Sequence, residues 1–419
     1  MTRNKSRGYW TAGSRSLRYL MAGVAVVVLL VFVGSTPAMA QDATKPELNI
    51  YGAAMLDTGY ETGQSDPNWF DVMRPGKLPS FTDEFGKDGR WFAGVRQSRF
   101  GVKADIPTSG SGPHIKTIFE FELFGTGVDA GQTTFRLRHA YGEYGKFGAG
   151  QTWSLFMDPD VFPNSIEYWG PNGMVFFRNV QARFIPWSKG GSSLMVAIER
   201  PGASADQGVY ANRIELAGVT GRFPAPDVTG QFRMAGKKGH IQFAGIYRRM
   251  NYDDLNATAT SDLTGAANGW GINVSSNIKL GKHLARLQYV YGEGIENYMN
   301  DAPADIGVQT NPGNTKTPLV GKALPIAGVV SFLDLNWSDK FTSTVGYSFA
   351  GITNSDGQAG TALKDGHYAL GNILYYPTKG VFLGPELQWG KRINKNGFSV
   401  NDYKIQFSAK YNFSFKING

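Results

Sequence analysis

The sequence predicts an all-β protein: a transmembrane antiparallel barrel of sixteen strands, with one connection folded inward. Three observations predict it. The chain opens with an export leader, its hydrophobicity repeats every second residue from end to end, and its strand links alternate between very short and long.

The leader comes first in the chain. Arg3, Lys5, Arg7, Arg15 and Arg18 form a basic start with no acidic residue, and Leu20 to Val33 is an apolar run. That run is shorter than the roughly 20 residues a spanning helix needs. Pro37-Ala38-Met39-Ala40 then supplies an Ala-x-Ala cleavage pattern, so residues 1–40 read as a secretory signal removed after Ala40. One barrel domain, 41–419, is expected to pass through the periplasm into a bacterial outer membrane. Losing the five leader cations lowers the formal charge from +8 to about +3 (8 − 5), which gives nucleic-acid binding little support. Cysteine is absent, which excludes a disulfide framework and thiolate metal sites. No metal or cofactor is expected.

The strands follow. In the last segment Tyr403, Ile405, Phe407, Ala409, Tyr411, Phe413 and Phe415 share one face, and Lys404, Gln406, Ser408, Lys410 and Asn412 the other. Short links occur around 377–380, 338–340, 281–283, 236–239, 188–191, 145–146 and 107–113. Long ones fall near 395–400, 354–365, 297–324, 253–268, 201–227, 155–177, 125–132 and 61–88. Seven short and eight long links join sixteen strands, with both termini at one end: tight periplasmic turns and long extracellular loops. A mean hydropathy of −0.26 fits walls that face lipid on one side only. Rings at Trp337, Phe341, Tyr375, Tyr376 and Phe382 are expected to form a boundary girdle. Outer-membrane lipids and lipopolysaccharide are the expected surroundings.

The stretch Gln151–Arg183 breaks this rhythm. Pro159, Pro163 and Pro171 cannot donate to a ladder, yet the link carries Trp153, Phe156, Phe162, Tyr168, Trp169, Phe176 and Phe177. A link so aromatic needs burial, and inside a barrel the lumen provides it. Residues 153–177 are therefore expected to form a constriction loop, also carrying Asp158, Asp160 and Glu167. A surface loop packed on a soluble core is the alternative.

Turning apolar residues to lipid sends Arg99, Lys103, Arg136, Arg138, Arg183, Arg233 and Arg286 inward, together with Glu120, Glu122 and Glu386. A basic wall facing the acidic loop would set a transverse field and offer planar forks to carboxylates. The arginines could instead serve only to neutralise those acids. By the same parity His139, Glu143 and Arg96 fall on the lipid face, where a subunit interface or a bulge would account for them.

An enzyme would need a nucleophile, a base and an orienting group together. His114, His240 and His283 fall at short turns, His367 opens a strand, His139 is isolated, and neither Gly-x-Ser-x-Gly nor His-Glu-x-x-His occurs. A non-enzymatic channel for small anionic solutes is the expectation. A general diffusion channel with little charge preference is the alternative, followed by a barrel-embedded enzyme or a structural barrel.

Arg-His-Ala-Tyr-Gly-Glu-Tyr-Gly-Lys-Phe (138–147), Gly-Gln-Thr-Trp-Ser (150–154) and Pro-Asn-Ser-Ile-Glu-Tyr-Trp-Gly-Pro (163–171) resemble DcaP-like porins of Gram-negative outer membranes. Leu-Asn-Ile-Tyr-Gly (48–52), Gln-Ser-Arg-Phe-Gly (97–101) and Gly-Pro-Glu-Leu-Gln-Trp-Gly (384–390) are similar too. The resemblance implies a homotrimeric, sixteen-stranded channel for small anions, dicarboxylates among them. Some members carry a helical coiled coil before the barrel, whereas only Gln41–Pro46 separates the leader from the first strand here. Any trimer is then expected to be held by walls and loops.

Overall fold

The computed structural model describes residues 45–109, 112–125, 135–202 and 214–418; the leader lies outside them. Sixteen antiparallel strands close on themselves. The first eight are β1 (Glu47–Glu61), β2 (Arg90–Gly94 and Arg99–Ile106), β3 (Ile115–Glu122), β4 (Arg136–Tyr144), β5 (Phe147–Trp153), β6 (Arg178–Lys189), β7 (Ser192–Glu199) and β8 (Val219–Arg222 and Asp227–Gly236). The rest are β9 (Gly239–Asp254), β10 (Gly265–Leu280), β11 (His283–Glu293), β12 (Pro325–Ser338), β13 (Phe341–Ile352), β14 (Leu363–Asn372 and Leu374–Tyr375), β15 (Val381–Asn394) and β16 (Ser399–Asn418). β1 pairs with β2 on one side and, from Glu47↔Asn418 to Glu61↔Lys404, with β16 on the other. No edge is left, so the ladder bonds of every strand are met within the wall. The short links fall where the glycine turns mark them; Gly145, Gly190 and Gly281 all have positive φ.

Alternation sorts the faces. On β16, Tyr403, Ile405, Phe407 and Tyr411 are about half exposed, whereas Asp402, Lys404, Gln406 and Ser408 are buried. From Lys410 onward the inner residues are open again. The buried stretch 402–408 thus marks a filled layer. At about 3.3 Å per residue and a tilt near 40°, it is on the order of 15 Å thick.

Two features depart from simple parity. On β4, Glu120 of β3 pairs with His139 and Phe121 with Leu137, so Arg138 is an extra residue in a bulge. Beyond it the faces exchange: His139 and Glu143 point inward, not at lipid. Arg96, expected on the outer face, sits in the break between the two segments of β2, with its side chain 0% exposed and paired to Asp71. The girdle also needs correction. Trp337 and Phe341 are exposed, and Phe341 stacks on Tyr375. Tyr376 and Phe382 turn inward, onto a small core with Met55, Ile166 and Leu374.

The inner wall is not uniformly polar either. Ala244 and Ile246 (β9), Val290 (β11), Ile326, Val330 and Phe332 (β12), Ile352 (β13) and Leu370 (β14) all face in and are buried. Trp69, Met73 and Leu78 from the β1–β2 link and Tyr298 from the β11–β12 link join them in one core inside the barrel.

Candidate functional site

The loop between β5 and β6 travels around the inside of the wall. Its base is pinned by the Ser154 N–H donating to the Phe177 carbonyl at 3.0 Å. Ser154 Oγ donates to Glu199 of β7 (2.9 Å), and Asn273 of β10 donates to the Phe156 carbonyl (2.8 Å). Further on, the Asn164 N–H reaches Asp334 of β12 (3.1 Å), and the Ile166 N–H reaches Glu386 of β15 (2.8 Å). The prolines free the loop from ladder pairing, and a single 3-10 turn at Pro159–Val161 uses Asp158 as its cap. Its return leg presses onto the wall. A Cβ on Gly173 would lie 2.0 Å from the Phe349 carbonyl oxygen, and one on Gly170 would lie 2.1 Å from the Tyr368 ring, so only glycine fits.

The aromatic middle of the loop closes on the arginines of β2–β4. Arg138 Nε donates to Glu120 at 2.6 Å and its Nη1 to Glu122 at 2.7 Å. Arg136 donates to Glu122 at 3.1 Å, and Arg99 lies 3.4 Å from Glu122 and 3.8 Å from Glu120. Arg178, at the start of β6, stands 3.9 Å from Glu122. Tyr168 Oη donates to Glu122 (2.7 Å), while Trp153 and Trp169 lie under guanidinium groups. Among the described residues, four guanidinium groups thus gather on two carboxylates. Burial grades the set. The Arg138 side chain is 5% exposed, Arg136 10% and Arg99 29%.

The loop acids do not look across a gap at this cluster, as a transverse field would require. They are bonded to the opposite wall. Asp158 accepts from His240 (2.6 Å), Ser275 (2.7 Å) and Arg233 (3.2 Å). Arg233 also pairs with the Asp160 carboxylate, and Arg286 donates to the Asp160 carbonyl and bonds Asp334 at 2.5 Å. Asp158, Asp160 and His240 come close enough together to suggest a metal site. Arg233 already occupies the space between the two carboxylates, so the group reads as an ion-pair tether.

Glu167 is buried and accepts from the Trp169 N–H at 2.7 Å; Glu386 accepts from Asn372 (2.9 Å) and Gln388 (2.6 Å). Arg183 faces in and donates to Gln181 and to the Trp153 carbonyl (2.7 Å). Lys103 stands lower on the wall, 4.9 Å over the Tyr51 ring. It helps line a side recess with Asn49, Lys116, Tyr141 and Glu143. Phe156, Phe162 and Trp169 belong to the inner core or pack against it. Sequence reasoning missed Arg178, hidden at the edge of the loop. It also passed over Lys404, which parity had placed on the inner face without distinguishing it from other polar residues.

A closed sixteen-stranded barrel with an apolar outside and loops filling its lumen defines an outer-membrane channel of the porin class, not an enzyme. The chain belongs to the DcaP outer membrane protein family, which it matches over residues 36–300. The outer membrane channel DcaP of Acinetobacter baumannii is similar in structure: TM-score 0.73 and 20% identity, over 90% of this chain and 100% of that one. An anion-selective porin from Comamonas acidovorans superposes with TM-score 0.55 and 10% identity, over 88% of this chain and 100% of that one. Salmonella typhi OmpF, in complex with daunomycin, gives TM-score 0.54 and 10% identity, over 87% and 97%. No curated protein matches the sequence.

Proposed function

We propose that the protein is a passive diffusion channel for small anionic solutes, dicarboxylates among them, working as a homotrimer in the outer membrane after residues 1–40 are removed. The observation that carries this reading is the cluster of four guanidinium groups, Arg99 partly open among them, where the loop meets β2–β4. Guanidinium groups suit carboxylates because their paired N–H groups match the two oxygens. The attraction stays moderate because Glu120 and Glu122 already sit among these groups, and a solute held tightly would block the passage. Outer-membrane lipids and lipopolysaccharide meet the apolar outer face. The anion-selective porin of similar fold is consistent with this reading.

A general diffusion channel with little preference is the second reading. The buried carboxylates Asp57, Glu167, Glu386 and Asp402 favour it, since they offset the arginine cluster. Reversal potentials across planar bilayers in a salt gradient separate the two. Anion preference in the wild type, reduced by Arg99→Gln, supports the first. A wild-type potential near zero overturns it.

A further inference from the structure

The filled layer has a floor, and the arginine cluster sits on it. Short turns mark the periplasmic end of the barrel, so the residues of β16 after Ser408 lead toward the periplasm. Lys410 is the first of them on the inner face. It is partly exposed, and Asn412, two residues on, is exposed. Lys410 pairs with Met55 of β1, and Ala53 of β1 pairs with both Asn412 and Arg99, so Arg99 stands at the same level.

The neighbouring strands change there too. On β3, Glu122 and Glu120 are buried, whereas Lys116, nearer the periplasm, is exposed. On β2, Arg96 and Gln97 are buried on the extracellular side of Arg99, and Lys103 is exposed on its periplasmic side. The 29% of the Arg99 side chain that stays open therefore faces a periplasmic vestibule, not the loop-filled layer.

Lys410 differs from the buried arginines beside it. Its ammonium has no hydrogen bond and no ion pair among the described residues, and lies 5.7 Å from the centre of the Phe382 ring. The charged groups around it are Arg99, Arg138, Asp57 and Glu120. Both acids are engaged elsewhere. Glu120 accepts from Arg138 and Tyr51, and Asp57 accepts from Ser408, Gln406 and Gln97. The vestibule acids nearer the periplasm also have partners: Asp105 bonds His114, Glu47 pairs with Lys416, and Glu143 accepts from Tyr141. The three donors of Lys410 are thus left to water or to a solute.

Arg99 and Lys410 stand on strands two places apart, about 10 Å between strand axes. Between them β1 contributes only the buried Ala53 and Met55. Two long side chains can converge across such a gap, the guanidinium as a planar fork and the ammonium as a mobile point charge.

We propose that Arg99 and Lys410 form a binding site for small polyvalent anions at the periplasmic face of the filled layer, entered from the vestibule. The proposal rests on the channel reading above and adds a direction to it. The site is open on one side only, so the channel responds to such anions according to the side from which they arrive.

Single channels in planar bilayers test this, with inorganic tripolyphosphate added to each chamber in turn. The chain contains no cysteine, so Asn412→Cys marks the vestibule side without background. The marker is read with a polyethylene glycol-linked methanethiosulfonate too large to cross the layer. Tripolyphosphate is expected to block from one chamber only, the one from which Asn412→Cys is modified. Lys410→Gln should raise the half-blocking concentration about fivefold, as for one partly exposed charge pair, and Lys410→Arg should restore it. Arg99→Gln should raise it likewise, and added salt should weaken the block. Equal block from both chambers, block from the unmarked chamber alone, or an unchanged half-blocking concentration in conducting Lys410→Gln channels overturns the site. If wild-type protein carries no current, the channel reading itself fails and this proposal with it; current without sided block sinks only the proposal.

Discussion

Replacing Arg138 with glutamine separates a structural counter-charge from a residue that solutes feel. Arg138 is nearly fully buried and donates to Glu120 and Glu122 at 2.6 and 2.7 Å. Glutamine is shorter, uncharged, and can replace at most one of those bonds. Breaking a buried ion pair from one side costs roughly 3–5 kcal/mol. Here each carboxylate keeps other partners: Tyr51 (2.7 Å) for Glu120, and Arg136 (3.1 Å) and Tyr168 (2.7 Å) for Glu122. The lower end, about 3 kcal/mol, is therefore expected, about a hundredfold in the folding equilibrium. Arg99→Gln removes only contacts of 3.4 and 3.8 Å from a side chain that is 29% exposed, so it should cost less than about 1 kcal/mol. Urea titrations of folding into phosphatidylcholine vesicles, followed by tryptophan fluorescence and by migration of unheated protein on gels, measure both. A double-mutant cycle with Glu120→Gln should return a coupling of at least about 1 kcal/mol for Arg138. Should Arg138→Gln fold as well as wild type while shifting the reversal potential as Arg99→Gln does, the distinction between buried and pore-facing arginines is wrong.

Three further outcomes follow from the loop and the walls. Gly173→Val, whose side chain would meet the Phe349 and Val329 carbonyls, should lift the return leg off β12 and β13 and raise single-channel conductance; unchanged conductance in folded protein would argue that the loop does not set it. Arg233→Gln removes the cation shared by Asp158 and Asp160, so current noise should increase as the loop loosens, and a variant trace as quiet as that of the wild type would count against the tether. Native mass spectrometry in mild detergent should find three chains, and a monodisperse single chain would remove the trimer.

Much of the fold was legible because barrel strands announce themselves through period-2 hydrophobicity and glycine turns, and Gly145–Lys146 or Gly281 needed no partner to be recognised. The site was less so, because side-chain direction accumulates along a strand. One extra residue at Arg138 reverses every later assignment on β4, and nothing in Arg-Leu-Arg-His-Ala marks it. That bulge also removes the reason for setting His139 and Glu143 at a subunit interface. Tyr376 and Phe382 misled for a different reason: an amphipathic ring reads the same at a membrane boundary and against an inward loop. On β12, Ile326, Val330 and Phe332 face in while Ala327 and Val329 face out, so alternation carries no polarity there.

A barrel of sixteen strands encloses more space than its own side chains can fill, so its lumen is water-filled unless chain is folded into it. Here the chain folded in is markedly apolar, and an apolar loop needs an apolar seat. That requirement accounts for the inward Ile326, Val330 and Phe332 of β12, and it makes glycine necessary at 173, where the loop backbone touches the wall. Wherever the loop is seated, water is excluded and nothing charged can cross. The arginine–glutamate cluster of β2–β4 lies at the margin of this seat, held by Tyr168 and Trp169 on the buried side and partly open at Arg99. Charge preference then depends on how far this cluster is reached through Arg99, its most open member. Neutralising Arg99 should therefore move selectivity toward cations, whereas neutralising the buried Arg138 should act first on stability.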